Sequence, residues 1–193
     1  SDITVNSVTV GKGAGSVAGN TVVGESALDA VTTGGNNVAV GLEALTANTS
    51  GDGHVSVGRY SLRGNTTGVN NTAIGFNALK ANTTGSNNTG IGNEALTAST
   101  TASNNVAVGA ASLDANTTGA NNTAIGQLSL SGNTTADDNT AVGKGSLQSN
   151  TTATRNTAVG KDAMTTNTIG AYNAAFGNYS LGANTTASYN SGF

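Results

Sequence analysis

Very few residues of this chain have side chains suited to catalysis. The 193 residues include one histidine, His54, and no cysteine, so neither a Ser–His–Asp arrangement nor a thiolate nucleophile or metal site is credible. Asp137 and Asp138 form the only adjacent acidic pair, and the residues around them indicate a solvated turn. The glycine-rich residues 11–15 lack the spacing and the closing Lys-Ser/Thr of a phosphate-binding loop. We therefore expect no enzyme activity, no cofactor and no metal ion.

Cationic and aromatic side chains are the residues best suited to recognising a receptor. Arginine pairs with anionic groups through its planar guanidinium, and tyrosine offers an aromatic face with a hydroxyl at its tip. Tolerated surface variation is the competing interpretation for each residue taken alone. The candidates for receptor binding, which depart from the pattern of their repeats, are Arg59, Tyr60, Arg63, Arg155, Tyr172 and Tyr179.

One glycine recurs at a fixed interval, once in every 17-residue unit, and organises the chain. A fixed period of about 20 residues is typical of proteins built from stacked repeats, in which each unit contacts only its neighbours. We call these residues the glycine column and number the coils by its members. They are Gly24, Gly41, Gly58, Gly75, Gly92, Gly109, Gly126, Gly143, Gly160 and Gly177.

Two other positions of the repeat are consistently large and apolar. The valine column, directly before each glycine, consists of Val23, Val40, Val57, Ile74, Ile91, Val108, Ile125, Val142, Val159 and Phe176. The leucine column, four residues after each glycine, consists of Leu28, Leu45, Leu62, Leu79, Leu96, Leu113, Leu130, Leu147, Met164 and Leu181. These two columns are the candidate core.

The three residues before each glycine predict a short β-strand. They read mostly (Thr or Val)-Ala-(Val or Ile), a β-branched alternation that favours strand. The Asn-Thr-Thr-Gly segment after the leucine column has turn-forming residues, and the recurrent Gly and Asn oppose a helix. We therefore expect an all-β fold, a parallel β-solenoid or β-roll with one 17-residue unit per coil.

Alternation along the strand decides which side chains face the interior. We expect the valine column to point inward, with the leucine column on a second short strand and only Ala, Gly and Ser on the outer face. Asparagine recurs seven residues after the glycine in eight of ten units, and stacked amides are expected to hydrogen-bond along the rod. This turn asparagine column consists of Asn48, Asn65, Asn82, Asn116, Asn133, Asn150, Asn167 and Asn184.

The composition excludes several classes of partner. Charged residues make up 9% of the chain and the net charge is −3, so we expect no nucleic acid partner. No apolar run approaches the roughly 20 residues of a membrane helix, so we expect no membrane insertion. Two large apolar side chains per unit form a thin core, and burial of a small-residue face against other copies would add to it. A homo-oligomer is therefore expected.

The glycine spacing divides the chain into two regions. Residues 1–19 are expected to form a capping segment or irregular first coil, because Gly11 lies less than one full period before Gly24. Residues 20–193 are expected to form ten repeats and a partial eleventh. Because a solenoid should not end on an uncovered strand, we expect either a longer protein or another chain at that end.

The repeat resembles two groups of surface proteins. Asn-Thr-Ala-Ile-Gly-x-x-Ala-Leu, as in residues 71–79, is similar to the Asn-Ser-Val-Ala-Ile-Gly repeats of trimeric autotransporter adhesin heads. The longer Asn-Thr-Thr-Gly turn is similar to repeats of bacteriophage tail-fibre and other virion proteins. Residues 1–11 resemble the start of such proteins from cyanobacterial phages. The resemblance covers residues 20–193 and implies a left-handed β-roll assembled as a homotrimer.

The resemblance also implies a function. The chain would be a structural protein of a bacteriophage virion, a trimeric fibre or appendage for host attachment, with other virion proteins and host cell-surface glycans as partners. One alternative is a capsid or tail decoration protein with a purely structural role. Others are an adhesin head at the bacterial cell surface and an ice-binding solenoid. The threonines eight and nine residues after the glycines would form the ice-binding array, although their neighbours indicate turns.

Overall fold

The strands stack in chain order into a single sheet. The computed structural model describes residues 2–193, and Ser1, the first residue of the expected capping segment, lies outside them. The strands are β1 (Ile3–Val5), β2 (Val8–Gly11), β3 (Thr21–Gly24), β4 (Val38–Val40), β5 (Val55–Val57), β6 (Thr72–Ile74), β7 (Thr89–Ile91), β8 (Val106–Val108), β9 (Thr123–Ile125), β10 (Thr140–Val142), β11 (Thr157–Val159), β12 (Ala174–Phe176) and β13 (Ser191–Gly192).

From β3 onward the strands are parallel and in register. Val40 of β4 lies beside Val57 of β5, which lies beside Ile74 of β6, and the same register continues to β12. The predicted parallel β-solenoid with 17-residue coils is therefore confirmed, and equivalent side chains form continuous columns. At about 4.8 Å per strand, ten coils form a rod roughly 48 Å long.

The second strand runs opposite to both of its neighbours. β1 pairs antiparallel with β2, and β2 pairs antiparallel with β3, so this hairpin covers the first edge of the parallel stack. The Asp2 carboxylate accepts hydrogen bonds from the N–H groups of Lys12 and Gly13 at 2.9 and 2.8 Å. A short 3-10 turn, Ala14–Ser16, follows β2. No helix within residues 2–193 has the length and apolar character needed to cross a membrane.

The two faces of the strands are the reverse of the sequence expectation. The alanine column, two residues before each glycine, is buried from Ala39 to Ala175. The valine column lies outside, where Ile74 is 38% and Ile125 is 41% exposed. The predictions that the valine column fills the interior, and that the outer face carries only Ala, Gly and Ser, are wrong.

A second set of asparagines explains this reversal. The strand asparagine column, four residues before each glycine, shares its strand face with the alanine column, and its amides bond inside the coil. Nδ2 of Asn105, for example, donates to the Gly119 carbonyl at 2.9 Å. Once these amides face inward, strict alternation turns the valine column outward. The members are Asn20, Asn37, His54, Asn71, Asn88, Asn105, Asn122, Asn139, Asn156 and Asn173.

The leucine column is buried from Leu28 to Met164, as predicted, but it does not lie on a strand. Each coil of residues 20–193 has one strand, so the predicted second short strand is wrong. These residues instead adopt left-handed φ angles between 46° and 56°. That conformation costs about 1–2 kcal/mol per residue. It turns the chain so that the side chain enters the interior, where burial contributes roughly 1.5–3 kcal/mol.

The turn asparagine column forms the hydrogen-bonded ladder that the repeat predicts. Nδ2 of Asn65 donates to Oδ1 of Asn48 at 2.9 Å, and Nδ2 of Asn82 donates to Oδ1 of Asn65 at 2.8 Å. Each amide also donates to the carbonyl three residues later, as Asn82 does to Gly85 at 3.0 Å. The ladder therefore joins neighbouring coils through buried polar groups.

Ser99 interrupts this ladder, and restoring asparagine there should stabilise the protein. Oγ of Ser99 and Oδ1 of Asn82 are both buried without a hydrogen-bond partner. An amide at residue 99 would donate to Asn82 and accept from Asn116. We expect Ser99→Asn to raise the free energy of unfolding by about 1–3 kcal/mol in chemical denaturation. Ser131→Asn, outside the ladder, is the control and should change it by less than about 0.5 kcal/mol; equal effects would contradict the prediction.

Candidate functional site

Three cationic side chains surround one tyrosine ring on the third and fourth coils. Cζ of Arg59 and Cζ of Arg63 lie 4.5 and 5.3 Å from the centroid of the Tyr60 ring, and Nζ of Lys80 lies 5.8 Å from it. The Phe76 and Tyr60 ring centroids are 6.3 Å apart. We call these five residues the Tyr60 patch. It brings together three of the six receptor-binding candidates.

The period could have identified the two members of the patch that the sequence analysis missed. Lys80 follows Arg63 by one full period of the repeat, and Phe76 follows Arg59 by the same interval. Residues at that spacing are neighbours on adjacent coils, about 4.8 Å apart along the rod. A search for cations and aromatics one period away from each candidate therefore finds both.

A groove of about 570 Å³ opens beside the patch. Successive coils contribute Thr46, Arg63, Lys80 and Thr97 to its lining, together with the small residues Ala47, Gly64 and Ala81. Nε of Arg63 lies 2.6 Å from Oε2 of Glu43. Lys80 forms no ion pair with any group in the described part of the chain. The groove is therefore cationic where Arg63 and Lys80 line it.

Arg155 and Tyr172 form a second group, near the other end of the rod. Cζ of Arg155 lies 5.4 Å from the Tyr172 ring centroid, and its guanidinium also donates to the Tyr172 hydroxyl. Nε of Arg155 lies 3.7 Å from Oδ2 of Asp138. Tyr172 stacks on Tyr189 with centroids 5.0 Å apart. Here the guanidinium already has an acidic partner and its tyrosine is already stacked.

Tyr179, the last candidate, lies apart from both groups beside an ion pair. Nζ of Lys161 lies 5.1 Å from the Tyr179 ring centroid and 2.9 Å from Oδ2 of Asp162. The hydrogen bond between Lys161 and Asp162 raises the pKa of the lysine and lowers the pKa of the aspartate. The six candidates therefore do not form one site.

His54 replaces an asparagine of the strand column and keeps its hydrogen bonds. Its backbone N–H donates to Oδ1 of Asn37 at 2.9 Å, and its Nδ1 accepts from the N–H of Asn71 at 3.2 Å. The side chain is 1% exposed, and this burial lowers its pKa below the usual value. The imidazole is therefore a neutral structural group.

The lowered pKa of His54 predicts that acid destabilises the rod. Below a pH of about 6.5 the imidazole of the unfolded chain binds a proton that the folded one does not. The free energy of unfolding therefore decreases as the pH is lowered. The stability that the neutral imidazole contributes is fully present above a pH of about 6.5 and is lost as the pH drops toward the pKa of the folded state. His54→Asn should remove this dependence, measured as the difference in thermal midpoint between the two proteins from pH 8 to pH 5. A constant difference across that range would contradict the prediction.

The outward sides of the strands form a continuous surface along the rod. We call it the outer strip; it consists of the valine column and the threonine column, three residues before each glycine. The strip carries no charged side chain, and Val55, Ile74 and Ile125 are exposed on it. The threonine column consists of Thr21, Val38, Val55, Thr72, Thr89, Val106, Thr123, Thr140, Thr157 and Ala174.

The structure provides a cationic groove and an uncharged, partly apolar strip on one stack of coils. Within residues 2–193, no three His, Asp or Glu side chains come close enough together to hold a metal ion. The arrangement is suited to binding and assembly, through side chains held in columns by the stacked coils. Comparison with protein-family models, with curated proteins and with solved structures gave no match to this chain.

Proposed function

We propose that the chain is a non-enzymatic structural protein of a bacteriophage virion, forming a homotrimeric fibre or appendage used for host attachment. The observation that carries the proposal is the outer strip, an uncharged, partly apolar face that follows the rod from β3 to β12. A surface of this kind on a soluble protein marks an interaction site.

A second copy of the chain is the partner that best fits the outer strip. Both strip and partner would then repeat at the same interval, about 4.8 Å, so that contacts made by one coil recur in every coil. Three rods around a common axis would each turn the valine column inward, in keeping with the resemblance to trimeric left-handed rolls. The interface lies on the Val/Ile face, and not on the Ala/Gly/Ser face that the sequence favoured.

The exposed cations and aromatics support a role in attachment. The Tyr60 patch, the Arg155–Tyr172 pair and Tyr179 are not members of the outer strip. We therefore expect a trimer built on the strip to leave them accessible. Arginine and tyrosine are enriched where proteins bind their partners. A stiff rod would present them at a fixed distance from a particle.

Localisation on intact particles tests the function. Gold-labelled antibodies against the chain should mark fibres or appendages in electron micrographs, and the isolated protein should bind host cells and reduce particle adsorption. Labelling confined to the capsid shell, without cell binding, would replace the proposal with a decoration protein. Labelling of the bacterial surface would favour an adhesin head.

Ice binding is a second candidate, favoured by the threonines of the outer strip. Thr123, Thr140 and Thr157 lie on adjacent strands in an in-register array beside Ile125, Val142 and Val159. The threonines eight residues after the glycines are unsuited to this role, because hydroxyls such as that of Thr66 already donate to the next coil. Since a trimer would bury the strip, measurable thermal hysteresis from a monomer would favour ice binding.

A further inference from the structure

We propose that the groove beside the Tyr60 patch binds acidic sugar units of a polysaccharide. This inference rests on the proposed role in host attachment and specifies the chemistry of the receptor. It is carried by the cations, the aromatic rings and the shape of one region spanning the second to fifth coils.

The charge around the groove calls for an anionic ligand. Three of the seven Lys and Arg residues surround the Tyr60 ring, and Glu43 is the one carboxylate within ion-pair distance of them in the described chain. Arg59 and Lys80 remain without an acidic partner there. Because the chain as a whole carries a net charge of −3, this surplus of positive charge is local.

The repeat confines the positive charge to two coils. Arg63 and Lys80 occupy equivalent positions, one period apart, and the same position holds Asp29 two coils before Arg63 and Asp114 two coils after Lys80. Burial raises the pKa of the Asp114 carboxyl. The backbone positions of Arg63 and Lys80 are about 4.8 Å apart along the rod, because they lie on adjacent coils. One carboxylate of a ligand can therefore contact both side chains.

The aromatic rings and the groove favour a sugar over a simple anion. Phe76 is 42% exposed and lies beside Tyr60, so its ring can pack against the apolar C–H face of a pyranose. The volume of about 570 Å³ lies in the range of small-ligand sites and accommodates a short oligosaccharide. Small residues, Ala47, Gly64 and Ala81, leave that space open.

Calorimetry with defined trisaccharides tests the proposal. Trigalacturonate, which carries a carboxylate on each sugar, should bind the wild-type protein, and neutral maltotriose should bind at least about tenfold more weakly. Lys80→Gln and Arg59→Gln should each weaken trigalacturonate binding by about tenfold. The affinity for trigalacturonate should also fall when the salt concentration is raised from about 0.1 M to about 1 M, because the Debye length then shortens from about 10 Å to about 3 Å.

Lys144→Gln is the matched control. Lys144 is an exposed cation that occupies the position of Arg59 five coils further along, away from the groove. Lys144→Gln removes the same charge as the two test substitutions. Because Lys144 is far from the groove, the affinity for trigalacturonate should stay within about twofold of the wild-type value. Thermal midpoints of all three variants should match, since none of the side chains is buried.

The inference and the attachment role can fail separately. The inference is overturned if trigalacturonate does not bind at millimolar concentration, if maltotriose binds equally well, or if Lys80→Gln and Arg59→Gln bind like the control. Cell adhesion that persists in those cases leaves the attachment role standing on another surface. Trigalacturonate binding that depends on both cations, without adhesion to host cells, supports the groove and rejects attachment.

Discussion

Gly92→Ala is expected to lower the free energy of unfolding by about 3 kcal/mol or more. Gly92 has a φ of 137°, a backbone conformation that residues with a side chain rarely adopt. A Cβ there would lie 2.6 Å from the carbonyl oxygen and 2.7 Å from the carbonyl carbon of Gly109 on the next coil. Because both are backbone atoms held in the stack, the clash can be relieved only by separating the two coils.

Gly90→Ala, on the same strand, is the matched control. Gly90 belongs to the alanine column, where seven coils carry alanine. Its new Cβ would lie 3.3 Å from the carbonyl oxygen of Ala95 and 3.3 Å from Cγ of Leu79. We expect a gain of up to about 1 kcal/mol, because alanine orders more easily than glycine within a strand.

Chemical denaturation followed by circular dichroism measures both changes. Hydrogen exchange should show that Gly92→Ala loses protection mainly in the fifth and sixth coils, since each coil contacts only its neighbours. If the two variants unfold within about 1 kcal/mol of each other, the glycine column is not needed for close stacking.

The architecture could be predicted from the sequence because the repeat is strict. Val40, Ile74 and Val142 occupy the same position of the 17-residue repeat, and only stacking in register gives each of them the same surroundings. The glycine column itself has a physical reason, because Gly92 combines a positive φ with a close approach of the backbone of the next coil.

The orientation of the strand could not be predicted from residue size alone. Large β-branched residues indicate an interior face, yet the interior of this coil holds only one large apolar side chain, such as Leu96 or Leu113, together with alanine and asparagine. The informative signal was the position of the strand asparagines, an even number of residues from the alanine column and therefore on the same face of the strand. Asn105 and Ala107 lie on one face, and a regularly spaced amide that is not in a turn indicates an interior ladder.

The Tyr60 patch could be predicted only in part, for a different reason. Arg59, Tyr60 and Arg63 depart from the repeat and are close in sequence, so they could be selected directly. Lys80 and Phe76 are brought to them by coil stacking, which a reading along the chain does not reveal. The contacts of Tyr172 with Tyr189 arise in the same way.

Lysines placed on the outer strip should prevent the proposed trimer from forming. Ile74 and Ile125 lie on the valine column and are 38% and 41% exposed in the single chain. In a trimer arranged around this strip, the double variant Ile74→Lys/Ile125→Lys would bury six unpaired charges (two in each of three copies). Each unpaired charge costs several kcal/mol when it leaves water. We therefore expect the dissociation constant to rise by at least about 1,000-fold, since each 1.4 kcal/mol is tenfold.

Sedimentation of the double variant and a control with the same added charge gives a direct test. Thr84→Lys/Thr135→Lys changes exposed bend residues on the same two coils, outside the strip. The wild-type protein and this control should sediment as trimers, and the strip variant as a monomer with an unchanged circular dichroism spectrum. A wild-type monomer, or a trimer that survives both lysines, would contradict assembly through the strip. Because the interior columns complete each coil without the valine side chains, loss of the trimer should leave the β-solenoid folded.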